Sequence, residues 1–133
     1  MALDRTQANS ILSYLHKASG TAAPRTITGP IMVRLMSAIG TAAANGTPIT
    51  GTHGSTGVSA GSWTNVAASQ QDSNAAVINF TSMPAATVDS IELWSSDATP
   101  VRTEFGALTG GAKTTASGDT LSFAAGALQS SLA

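Results

Sequence analysis

The sequence predicts a mainly β chain: an antiparallel β-sandwich or jelly-roll-like domain with one N-terminal α-helix. Three observations predict it. From position 31 onward the larger apolar residues recur with period two, the repeat of a strand with one buried face. Clusters of Gly, Ser, Asp and Pro separate these runs every ~8–12 residues, a spacing that suits antiparallel strands and not βαβ units. Only residues 4–18 carry a helical stripe.

In that first stretch Ala8, Ile11, Leu12 and Leu15 fall at i, i+3, i+4 and i+7 and share one helix face. Asp4 and Gln7 have the spacing of a capping box, and Gly20 supplies a stop. Pro24 and Gly29-Pro30 mark a linker. Ile31, Val33 and Leu35 then alternate with Met32, Arg34 and Met36 as a strand. Residues 40–62 read as a long Gly/Ser/Thr loop, part of a run from Leu35 to Gln71 without a single charged residue. Strands are expected at Val77–Phe80, Thr87–Trp94, Val101–Leu108, Lys113–Thr115 and Leu121–Phe123. Turns are expected at Ser95-Ser96-Asp97, Gly110-Gly111 and Ser117-Gly118-Asp119, with a bulge at Gly126. No internal repeat is present. The length of 133 residues suits one domain over 1–133.

Composition narrows the function. Ala, Ser, Thr and Gly fill 72 of 133 positions, and Leu, Ile, Val and Phe only 25, which predicts a folded but lightly packed core. Charged residues make up 10%, against about 25% in ordinary domains, so part of the exterior is expected to lie against other chains. A net charge of −1 without a Lys/Arg cluster argues against nucleic acid as a partner. The lack of a long apolar run argues against a membrane helix. The acidic start Met1-Ala2-Leu3-Asp4-Arg5 is unlike a secretory signal, so cytoplasmic synthesis is expected, and the Asn45-Gly46-Thr47 and Asn79-Phe80-Thr81 acceptor patterns are read as accidental.

Candidate chemistry is thin. Gly57-Val58-Ser59-Ala60-Gly61 matches the nucleophile-elbow pattern, and Ser59, His53 and Asp72 can be written as a triad. Neither neighbour supplies the strand-then-helix context, so no enzyme is expected and no catalytic residue is assigned. No cysteine is present and the only histidines are His16 and His53, so no metal site and no cofactor is expected. Asp89 and Glu92 differ in parity, while Arg102 and Glu104 share a face as a solvated pair of little value. Most aromatics are expected in the core. Trp63, inside the charge-free run, is the best interface anchor, with Ile49, His53, Val58 and Val66 beside it.

Two stretches resemble small structural proteins of tailed bacteriophages. One is Met83-Pro84-Ala85-Ala86-Thr87-Val88-Asp89-Ser90-Ile91-Glu92-Leu93-Trp94. The other runs from Phe105-Gly106-Ala107-Leu108 through Lys113-Thr114-Thr115-Ala116-Ser117-Gly118-Asp119 to Leu121-Ser122-Phe123-Ala124-Ala125-Gly126-Ala127-Leu128. Phe105 stands where the family has a tryptophan, and the family's G-Y-x-R element is missing, Gly61-Ser62-Trp63-Thr64-Asn65 holding its place. The resemblance implies a virion protein, foremost a capsid decoration protein on the phage head, with a tail-associated protein as the alternative. It implies the major capsid protein and the chain itself, as a homotrimer, as partners. The contacts are expected from residues 40–70 or from the N-terminal helix and its arm.

Overall fold

The computed structural model describes residues 1–5, 27, 29–51, 57–66 and 71–131. The chain is mainly β, and every strand pairing among the described residues is antiparallel. From residue 6 the expected helix, with Ala8, Ile11, Leu12 and Leu15, lies outside the described residues.

One long β-hairpin, residues 71–131, organises the molecule. Its outgoing arm is β6 (Gln71–Asn74), β7 (Ile78–Phe80), β8 (Ala86–Val88) and β9 (Ser90–Ser95). Its returning arm is β10 (Arg102–Ala107), β11 (Lys113–Thr115), β12 (Leu121–Phe123) and β13 (Gln129–Ser131). The arms pair rung by rung: Ser90 with Ala107, Val88 with Lys113, Phe80 with Leu121 and Ser73 with Gln129. The tip closes where the Ser95 N–H donates to the Val101 carbonyl (2.9 Å) and the Val101 N–H to the Ser95 hydroxyl (3.0 Å).

The ladder is interrupted where the sequence has turn residues. Residues 81–85 leave the outgoing arm opposite 116–120 on the returning one, five against five. The two detours clasp each other. The Met83 N–H donates to the Asp119 carbonyl (2.8 Å) and the Gly118 N–H to the Met83 carbonyl (2.8 Å). The Asp119 carboxylate also accepts the Ala116 N–H at 2.7 Å. Nearer the open end, three residues (75–77) face five (124–128), and the surplus turns at Gly126.

Buried Asn74 fixes that mismatch. Its side-chain amide donates to the carbonyls of Ala76 (2.8 Å) and Ala124 (2.9 Å), and its Oδ1 accepts the Leu128 N–H (2.9 Å). Hydrogen-bonding capacity of this order is what lets a buried amide sit in an apolar core.

Further strands flank the hairpin. At the tip end, β1 (Ala2–Leu3) pairs with β10, and β2 (Ile31–Ala38) with β9. Both β3 (Thr47–Pro48) and β4 (Val58–Ser59) pair with β2. At the open end, β5 (Trp63–Val66) pairs with β6. Among its described residues the expected loop at 40–62 therefore contains two short strands, each too brief to leave a periodic signal. One hydrophobic cluster joins Val33 and Leu35 of β2 and Ile91 and Leu93 of β9 to Ile78, Phe80, Val88 and Leu128 of the hairpin's open half. The strands at the tip thus bury one face against the rest of the same hairpin. Phe80 is fully buried, with the Phe123 ring edge-on at 6.1 Å.

Replacing Asn74 by Ala orphans the Leu128 amide in the interior, worth about 1–3 kcal/mol, and releases the carbonyls of exposed Ala76 and Ala124. Urea unfolding should show a loss of about 2 kcal/mol, well beyond an exposed Asn79→Ala control.

Candidate functional site

The face of the central sheet turned away from the core holds most of the described charge chemistry. In β2, Met32, Arg34 and Met36 alternate with the core residues, and β9 places Trp94, Glu92 and Ser90 directly beside them. The third strand breaks step. Arg102 pairs with Trp94, but Glu104 pairs with Leu93, so the register slips at Thr103. A bulged residue re-aims the side chains around it. Here it puts Arg102 and Phe105 together on the charged face and turns Glu104 to the core side.

This corrects the expected Arg102–Glu104 surface pair. Parity counting assumes an unbroken strand, and the bulge reverses parity at one residue. Arg102 is buried and binds two other carboxylates, Glu92 Oε1 and Asp4 Oδ2, each at 2.9 Å. Side-chain exposure is 2% for Arg102, 1% for Glu92 and 17% for Asp4. The guanidinium also donates to the carbonyls of Thr41 and Ala44 (2.8 Å to Ala44) and lies 4.7 Å over the Phe105 ring. Glu92 accepts the Gly46 N–H (2.6 Å) and the Trp94 indole N–H (2.9 Å). Burial disfavours the charged arginine, but its hydrogen bonds to Asp4 and Glu92 and their charges outweigh it, and the Arg102 pKa is raised.

The segment 41–46 closes over this cluster because two glycines permit it. A Cβ on Gly40 would lie 2.6 Å from an Arg102 nitrogen, and one on Gly46 would lie 2.4 Å from the Ala38 carbonyl oxygen. Beside the cluster, the Arg34 guanidinium stacks 4.1 Å over Trp94. Burial lowers its pKa, with the Glu92 charge opposing.

On the core side, Glu104 is half-buried and its Oε2 has no hydrogen-bond partner. Burial raises its pKa; a hydrogen bond from Ser130 and the terminal ammonium lower it, and Asp72 adds to the rise. A separate groove of about 590 Å³ opens between β10 and the later part of the returning arm. Its floor includes Ile91, Leu108, Leu121 and Phe123, and Lys113 is its one ionisable side chain. That lining offers apolar contact but no acid–base pair.

The expected interface residues are placed as follows. Ile49, Val58 and Trp63 are half-buried and pack against the core. The Trp63 indole N–H is buried without a partner. Val66 pairs its backbone with Gln71, its side chain lying outside the described residues, as does His53 altogether. Ser59 sits in β4, its hydroxyl accepting the Gly61 N–H (3.1 Å), and the next element is the strand β5. The strand-to-helix elbow is not formed there. Among the described residues no group of three His, Cys, Asp or Glu is placed to hold a metal ion.

Sequence reasoning missed the Asp4–Arg102–Glu92 cluster and the Arg34–Trp94 stack. A signal existed: in so charge-poor a chain, a glutamate between Ile91 and Leu93 is an ionic residue inside an apolar strand. Comparison with known protein families and with characterised proteins found no match.

Arg102→Met leaves Glu92 buried and unpaired, which should cost about 3–5 kcal/mol in denaturant unfolding. Adding Glu92→Gln should recover part of it. Glu104 gives a pH signature. Its folded pKa lies above the unfolded value of about 4.5, so the folded state holds this proton more tightly. That stabilisation is complete below the unfolded value and is lost as pH rises through the folded one. Thermal unfolding of Glu104→Gln, followed from about pH 4 to about pH 8, should show a flatter decline and higher stability than wild type at neutral pH.

Proposed function

We propose that the chain is a virion structural protein, a capsid decoration protein that binds the major capsid protein on a phage head as a homotrimer. In this reading the hairpin and its flanking strands form a jelly-roll-like, two-layer domain. The observation that carries the reading is where the charge lies. The sequence has only six basic and seven acidic residues. Asp4, Arg34, Asp89, Glu92, Asp97, Arg102 and Glu104 are buried or half-buried, which leaves Arg5, Asp72, Lys113 and Asp119 as the exposed ionic residues among those described. The exterior formed by the described residues is thus poorer in charge than the composition alone implies. Such a surface, rich in Ser, Thr and Ala, suits a protein covered by neighbours better than a free one.

The segments that carry the phage resemblance have defined places in the fold. They are successive parts of the two hairpin arms, and their Met83-Pro84 and Gly118-Asp119 elements hydrogen-bond to each other. Phe105, at the family's tryptophan position, lies under the Arg102 guanidinium, a place for any flat ring. These residues specify a scaffold and not a reaction.

A decoration protein works by contact. Each copy buries surface across a joint between shell subunits, and many identical weak contacts, reinforced through the oligomer, add up to tight occupancy. Imaging of purified virions carrying a tagged chain should reveal a regular array over the head. Label confined to the tail would assign the protein there, and its absence from the particle would overturn the virion reading.

A further inference from the structure

We propose that Arg34, held flat on Trp94, is the docking point for a carboxylate side chain of the partner protein. The proposal deepens the shell-binding reading by naming the contact: an Asp or Glu on the major capsid protein surface.

The geometry is that of a guanidinium placed and then left unanswered. Arg34 stacks on the indole at 4.1 Å, which fixes the plane of its fork. The indole is fixed in turn, since its N–H donates to buried Glu92. Room for the Arg34 stem comes from Gly57, where a Cβ would lie 2.9 Å from Arg34 Cγ and 2.2 Å from the Val33 carbonyl oxygen. The acceptors nearby are committed. Glu92 attracts Arg34 by charge, but its oxygens take the Gly46 amide, the Arg102 guanidinium and the Trp94 indole. Arg34 Nε is buried and has no hydrogen-bond partner. That nitrogen is sealed from solvent, so a partner's carboxylate meets the outer Nη edge of the fork, whose natural complement is a planar oxyanion.

The chemistry selects a carboxylate over a phosphate chain. Arg102, the neighbouring guanidinium on this face, is saturated by Asp4, Glu92 and two carbonyls. One fork matches one carboxylate, whereas a nucleic-acid backbone requires a row of cations that a chain of net charge −1 does not supply. Arginine and tryptophan half-buried side by side are also the residue types that dominate contact energies.

The test has two arms, both on the full chain. In the first, an acetylated oligoglutamate peptide is titrated while the indole N–H signals are followed by NMR, with Trp94→Phe assigning them. A saturable shift of the Trp94 signal is expected, at least about tenfold weaker in Arg34→Gln and not restored in Arg34→Lys, which lacks the planar fork. A Trp94 signal that ignores the peptide, or responds equally in Arg34→Gln, overturns the proposal. In the second arm the same variants bind phage heads stripped of this protein. Arg34→Gln should lose about tenfold in affinity with unchanged thermal unfolding. Equal binding of Arg34→Gln and wild type would overturn the docking point while leaving the shell reading intact. A peptide response without any wild-type binding to heads would uphold the carboxylate site and overturn the shell reading.

Discussion

The buried guanidinium of Arg102 ties together three separate parts of the chain. Its partners come from the N-terminal segment through Asp4, from strand β9 through Glu92, and from the 41–46 segment through two carbonyls. Removing these charges from water is costly, and their attraction offsets that cost only because nearly every donor finds an acceptor. A cluster of this kind adds little net stability when whole and costs much when broken. It therefore acts as a condition on geometry. Only a β10 bulged at Thr103 brings Arg102 and Phe105 to the same face, and only a glycine at 46 lets the covering segment reach Glu92.

From that condition follows a division of labour between the two faces of the central sheet. One face is ordinary: Val33, Leu35, Ile91 and Leu93 meet the apolar side of the hairpin's open half. The other is ionic and aromatic, with Glu92 orienting Trp94 and Trp94 orienting Arg34. The chain places its scarce charges where they specify structure and leaves much of its exterior neutral. Function by contact is consistent with such an allocation, because a neutral surface is cheap to desolvate against a partner.

Much of the fold was legible in the sequence, and the failures have identifiable causes. Period-two alternation located the strands at Ile31, Thr87 and Leu121, and glycine and aspartate marked the turns at 110–111 and 117–119. Parity failed at Arg102, where one extra residue in the strand reverses every inference about facing. The Asp4–Arg102 contact spans 98 residues, and no local pattern encodes it. Asn74 carries no signal of its own in the sequence; its role is set by Ala124 and Leu128 on the opposite arm. Ile49, Val58 and Trp63 stood out for their size in a polar stretch, and size alone does not distinguish a residue packed on the core from one offered to a partner.

The matched five-residue detours of the hairpin bear on how this chain can change over time. An insertion in either detour would disturb the clasp that Met83 makes with Gly118 and Asp119, so length variation there is constrained by the opposite arm. The reversal at 96–100 is under no such constraint. Its residues are largely exposed and lie beyond the last rung, so added sequence would leave the ladder untouched. That tip is where the molecule can accept an epitope, an affinity tag or a grafted loop.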